Sequence, residues 1–347
     1  MAKIVLAAHD AGPSNALGAF AKVLDSPAVF LANAGKTYLN EKATDAMRYS
    51  IRTADFVLIG MSFPEANAAI ELMAAKTAAE ARIPYGFCAD IPGAWNRVWF
   101  APYRASASLL LTVGGVEEIA KATALFPKAY ITRTGNPEWE KYFLPASRSA
   151  ARGAMGASDD EFVILSPGGK DAVLNIQSWS TVVEAASLYR SNVAVVLTCH
   201  PGDRTPKDVY QSLAHYGQKL GVRVLCSETP SDVLVPGVDV VVQTPNFSVG
   251  LHAMCRRVPV IDMMGAMAAE RVFENTGTRE GQFAGTEAVL SLYYEEATAP
   301  ALAQALVSVR TNTVMREAQE RLLPPLKQGG AVAAMKAAVE EVLNKKR

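Results

Sequence analysis

The stretch from 238 to 262 constrains this chain more than any other. Val238-Asp239-Val240-Val241-Val242 is too short and too β-branched for a helix, and it reads as a buried parallel strand. It stops at Gln243-Thr244-Pro245, because proline cannot donate to a strand ladder. Asn246 or Ser248 is then placed to cap a helix expected over about 249–256. A second buried strand, Val258-Pro259-Val260-Ile261-Asp262, follows at once. Such a strand–loop–helix–strand unit leaves unpaired N–H groups at its helix start, and these suit an anion. Asn246, Phe247 and Ser248 are the residues expected to hold it, with His252 one turn further on.

The same rhythm runs through the chain. Apolar runs predict strands at 4–8, 28–32, 56–60, 85–89, 109–113 and 129–132, with helical spacing between them. The alternation breaks between 135 and 160, where Gly135-Asn136-Pro137 signals a turn and 147–158 is rich in Arg, Ala, Gly and Ser. It restarts at 162–165, 193–199, 222–225, 238–242 and 258–261. At 347 residues the chain exceeds the comfortable size of one core. The expected fold is therefore α/β, with two Rossmann-like domains facing a cleft. The expected division is an N-terminal domain at 1–140, a linker at 141–158, a second domain at 159–330 and a closing helix at 331–347.

Charge excludes several classes of partner. Lys+Arg and Asp+Glu balance at 34 each, which argues against nucleic acid or an anionic membrane surface. No apolar run approaches the ~18 residues of a membrane span, and the start of the chain reads as a strand rather than a signal peptide. Cys88, Cys199, Cys226 and Cys255 are scattered without a C-x-x-C pair, so free thiols in a reducing cytoplasm are expected, with no metal site and no cofactor. A homo-oligomer stays open.

Three further loops fall at predicted strand ends, where open α/β sheets collect ligands. Ser166-Pro167-Gly168-Gly169-Lys170-Asp171 lets backbone amides of Gly168 and Gly169 approach a phosphate, with Lys170 adding charge; a plain tight turn is the alternative. His200-Pro201-Gly202-Asp203-Arg204 offers His200 and Arg204 to a phosphate or sugar hydroxyl. His9-Asp10 with Gly12, Ser14 and Asn15 occupies the matching position in the first half. There His9 or Asp10 suits a general base, whereas Asp10 or Ser14 as a mere helix cap is the alternative. Trp95 and Trp99 lie four apart, as on one helix face, and read as core rather than as an acceptor platform.

These residues resemble the GT-B superfamily of nucleotide-sugar glycosyltransferases, UDP-sugar 2-epimerases and nucleotide-sugar hydrolases. Thr134-Gly135-Asn136-Pro137 is similar to the T-G-N-P that ends the first domain in muramyl-peptide glycosyltransferases and epimerases. Gly168-Gly169-Lys170-Asp171, with Asn175, resembles the superfamily's G-G-S-x phosphate loop, and Ser248 to Pro259 its donor-binding unit. Two departures stand out. His252 occupies the place of the glutamate that commonly holds the donor ribose, and Asp90-Ile91-Pro92-Gly93 replaces the epimerase signature E-A-G-x-R. The resemblance implies transfer from a nucleotide-activated or phosphate-activated sugar to a small acceptor. Loop amides, Lys170, His200 and Arg204 would stabilise the leaving diphosphate without a metal. A nucleotide-sugar hydrolase or 2-epimerase is one alternative, and a non-catalytic ligand-binding protein another.

Overall fold

The computed structural model describes residues 2–31, 41–189, 192–200, 205–244, 248–276, 279–281 and 283–345. By its internal contacts the chain forms two units, Met1–Lys141 with Leu322–Arg347, and Tyr142–Arg321. Each is a six-stranded parallel sheet with helices on its faces.

Unit 1 runs β1 (Ile4–Ala8), α1 (Ala11–Ala21), β2 (Ala28–Leu31), α2 (Glu41–Arg52), β3 (Phe56–Gly60), α3 (Ala69–Ala81) and β4 (Tyr85–Cys88). It continues through α4 (Ala101–Arg104), β5 (Leu109–Thr112), α5 (Val116–Leu125) and β6 (Tyr130–Arg133). The strand order is β2-β1-β3-β4-β5-β6, with Ile4 beside Phe56 and Val5 beside Val57 in register. Alternate residues of one strand serve opposite layers, as the two-residue period dictates. Leu6 and Leu58 pack with Leu17 and Phe20 of α1, while Val57 and Ile59 pack with Ala74 and Ala78 of α3. Both faces are covered, so β1 and β3 are buried along their whole length and read as continuous apolar runs.

Unit 2 holds α6 (Arg148–Met155), β7 (Phe162–Pro167), α7 (Ala172–Leu188), β8 (Val193–Thr198), α8 (Lys207–Lys219), β9 (Arg223–Ser227) and α9 (Ser231–Leu234). Then come β10 (Val240–Gln243), α10 (Ser248–Cys255), β11 (Val260–Met264), α11 (Ala266–Thr276), β12 (Leu290–Tyr293), α12 (Ala299–Arg310) and α13 (Thr313–Leu322). Its order is β12-β11-β10-β7-β8-β9. β12 has no counterpart among the expected strands; with only Leu292 of its four residues buried, it lacks a continuous apolar run.

Three expectations are corrected. The segment 141–158 is not a linker, because it contains α6, which a buried arginine ties to sheet 2. Arg152, 2% exposed, donates to the carbonyls of Gly237, Ser158 and Glu161 and to Asp239 Oδ2 at 2.9 Å. The chain also returns to unit 1 at Leu322, ahead of the expected 331. There α14 (Gly330–Asn344) lays Met335, Ala338 and Val339 on sheet 1, with its first amides held by the Glu140 carboxylate. Trp95 and Trp99 fall in two separate 3₁₀ turns, Ala94–Asn96 and Val98–Phe100, rather than on one helix face. Among the described residues no helix is long and apolar enough to cross a membrane.

Replacing Arg152 with Met leaves the carbonyls of Gly237, Ser158 and Glu161 without this donor, while Asp239 keeps Arg148 and the Val163 amide. Losing a buried partner of this kind costs about 1–3 kcal/mol. Hydrogen exchange should show β7 and β10 losing protection while β1 and β3 keep theirs.

Candidate functional site

In unit 1 the strand order reverses between β1 and β3, the place where open parallel sheets bind ligands. Their two carboxyl-end loops are knitted together by carboxylates. The His9 amide donates to Glu71 Oε1 at 2.9 Å, and the Ser62 hydroxyl donates to the same oxygen. The Asp10 amide donates to Ser62 Oγ at 2.8 Å. The Asp10 carboxylate accepts from the Phe63 amide at 2.7 Å and from Asn67 Nδ2 at 2.9 Å, so it leaves the start of α1 uncapped. His9 Nδ1 lies 3.9 Å from Asp10 Oδ1.

A third carboxylate fills the space beside α1. A Cβ on Gly12 would sit 2.2 Å from Asp90 Oδ2, so glycine at 12 makes room for Asp90. Asn136, in the Thr-Gly-Asn-Pro turn, donates from Nδ2 to the Asp90 carbonyl at 2.9 Å and fixes that loop. Arg97 Nη1 stands 3.8 Å from Asp90 Oδ1. Ser14 is buried within α1 and Asn15 is exposed on it.

Burial sets the electrostatics. Removed from water, Glu71 is pushed up to about 7, opposed by the bonds from Ser62 and His9 and reinforced by the charge of Asp10. Asp90 is pushed up to about 6 by burial against the pull of Arg97. The Arg97 guanidinium is lowered by burial and supported by Asp90, Asp10 and Glu71. Two protonatable carboxyls, a half-buried Asp10 and one guanidinium thus share a small volume, a set suited to moving protons near neutral pH.

In unit 2 the order reverses between β7 and β10. The loop after β7 spends the amides expected to bind phosphate. Gly168 N–H donates to the Thr198 carbonyl at 2.7 Å, and Gly169 N–H donates to Asn175 Oδ1 at 2.7 Å. Asn175 closes the turn by donating to the Gly169 carbonyl at 3.0 Å, and Asp171 caps α7. Lys170, His200 and Ser248 are exposed near carboxyl ends of sheet 2 strands, Ser248 being the first residue of α10. His252 stacks on the Tyr142 ring, 3.9 Å between centroids. Arg204, Asn246 and Phe247 lie outside the described residues.

Glu71, Asp90 and Arg97 were not among the expected site residues. Glu71 carried a signal, since a carboxylate stands on the buried stripe of an alanine-rich helix beside Ala74, Ala75 and Ala78. Glu118 is a different case. Its Oε1 accepts from Trp95 Nε1 at 2.6 Å, Thr112 Oγ1 at 2.7 Å and Gly93 N at 3.1 Å, which makes it a brace for the loop after β4. Among the described residues no group of three or more His, Cys, Asp or Glu side chains is placed to hold a metal ion.

No family model and no curated protein matches the sequence. Solved structures do match its fold. A putative UDP-N-acetylglucosamine 2-epimerase from Listeria monocytogenes is similar at TM-score 0.62 and 11% identity, covering 99% of this chain and 97% of its own. A glycosyltransferase from Rickettsia africae gives 0.59 at 11% identity, with 99% of each chain covered. HepE from Anabaena, solved with UDP-glucose, gives 0.58 at 14% identity over 98% of this chain and 100% of its own. The chain has the two-domain α/β fold of the GT-B type.

Because folded Glu71 binds its proton up to about 7 against an ordinary 4.5, the folded state holds more protons than the unfolded one across that window. Its contribution to stability is therefore lost as pH rises from about 4.5 to 7, by about 3 kcal/mol at most. Denaturant titrations between pH 4.5 and 8 should show a flatter slope in Glu71→Gln.

Proposed function

We propose that this chain is an enzyme that processes a nucleotide-activated sugar, with transfer to a small acceptor as its reaction. The donor's diphosphate is assigned to unit 2, at Lys170, His200, Arg204 and the start of α10, where backbone N–H groups and side-chain cations offset negative charge. Gly168 and Gly169 contribute by shaping that loop rather than by donating amides. The acceptor is assigned to unit 1, at the loops after β1 and β3.

One observation carries the reading. Three carboxylates and a guanidinium converge at the reversal point of sheet 1, and the outermost carboxylate, Asp10, has a side chain 26% exposed. Asp10 is the group to take the proton from the acceptor hydroxyl, with His9 beside it. Ser62 links the two acids, donating to Glu71 Oε1 and accepting from the Asp10 amide at 2.8 Å. Support also comes from the solved neighbours, which include a glycosyltransferase and a HepE structure holding UDP-glucose.

Epimerisation at C2 of the sugar is the second reading, favoured by the epimerase neighbours and by the two carboxyls near 7 and 6. The two readings separate in one assay with UDP-sugars in D₂O. UDP released only when an acceptor is present means transfer, UDP released without one means hydrolysis, and deuterium at C2 means epimerisation.

Asp10→Asn should lower turnover ~10²–10⁴-fold, the usual contribution of a general base, with UDP affinity by calorimetry unchanged. Turnover equal to the parent in Asp10→Asn would remove Asp10 from the chemistry.

A further inference from the structure

Arg97 has no task in the scheme above. Its side chain is 12% exposed and lies over the Phe63 ring, 5.6 Å from the centroid. Arg104 Nη2 donates to the Arg97 carbonyl at 2.6 Å and holds the backbone beneath it. The Asp90 oxygen at 3.8 Å is an ion-pair partner but stands beyond hydrogen-bond length. Among the described residues the guanidinium donates no hydrogen bond, although a guanidinium carries five N–H groups in a fixed fork. Acceptors are also left over. Glu71, 0% exposed, has Oε2 without a hydrogen-bond partner, and so does Asp90 at Oδ1. Each Asp10 oxygen accepts a single bond and has a second lone pair to offer.

We propose that Arg97 and Asp10 form a subsite that reads neighbouring hydroxyls of a neutral sugar ring. The inference rests on assigning the acceptor to unit 1 and adds the class of group recognised there. Charge selects that class. A phosphate or carboxylate would meet Asp10, Glu71 and Asp90 together and be repelled. An ammonium would face the guanidinium and leave its donors unanswered. A hydroxyl does both jobs at once, accepting from Arg97 and donating to a carboxylate. The guanidinium already lies over the Phe63 ring and beside Asp90, so part of its rotamer freedom is given up before any ligand arrives.

The test is a thermal-shift and calorimetric panel of glucose, galactose, mannose and N-acetylglucosamine. Glucose 6-phosphate, glucosamine and 2-deoxyglucose are the matched controls. At least one neutral pyranose should stabilise the parent, and the charged and deoxy controls should bind at least about tenfold more weakly, because a site built for a hydroxyl discriminates strongly against its loss. Arg97→Gln should abolish this binding. Arg97→Lys keeps the charge beside Asp90, so it should fold as the parent does and yet bind about tenfold more weakly, lacking the planar fork. Stabilisation by none of the neutral pyranoses, preference for the phosphorylated or amino control, or parental affinity in Arg97→Lys would each overturn the proposal. UDP titration of the same proteins reports the donor side separately. UDP binding and turnover intact without sugar preference sinks only the role of Arg97, whereas no UDP binding in the parent sinks the nucleotide-sugar reading instead.

Discussion

A parallel sheet covered on both faces leaves polar chemistry almost nowhere to go but the ends of its strands. β1, β3, β7 and β8 are buried along their whole length, and every side chain between their ends must suit an apolar layer. The first residues past the carboxyl ends escape this requirement. His9, Asp10 and Ser62 stand there in unit 1, as do Gly168, Gly169 and His200 in unit 2. The reversal of strand order then sends neighbouring connections to opposite faces, and each sheet acquires a place where side chains converge.

The two units use that place differently. In unit 1 the loops are held by side chains, and the carboxylates doing the holding stay partly unsatisfied at Glu71 Oε2 and Asp90 Oδ1. Burying carboxylates so close together is costly, and the cost appears as raised proton affinity at Glu71 and Asp90 and as dependence on Arg97. In unit 2 the glycine loop is self-contained, its amides closed on Thr198 and Asn175. Also near these strand ends are the exposed side chains of Lys170 and His200 and the first residue of α10, Ser248. A preassembled group of carboxylates in one unit thus contrasts with a closed glycine loop in the other. His252, stacked on Tyr142, is tied into the packing of unit 2 by an aromatic face.

Identities of 11–14% to structures that cover nearly the whole chain show how little of a fold resides in particular residues. The pattern that persists is physical: β-branched runs of four to six residues, a turn-forming loop, and an amphipathic helix. Each strand expected within the described residues was found, most within two residues of its expected ends, because short apolar runs bounded by turn residues declare themselves locally. The GT-B likeness and the two Rossmann-like sheets were legible for the same reason.

The sequence by itself determined the alternation, the two sheets and the loops at which ligands gather, since strand period, helix period and turn chemistry are properties of neighbouring residues. It marked Asp10 and His9 as residues past a strand end, and it marked Gly12 as special while leaving the cause open. Tertiary structure decided that cause, because Gly12 faces Asp90 from 78 positions away. It decided that Glu71, 62 positions from His9, would bind that residue's amide. It also decided that Arg152 would make 148–155 part of unit 2 rather than a linker. A buried carboxylate or guanidinium is placed by the distant groups that satisfy it, and no local pattern of apolar and polar residues records which groups those are.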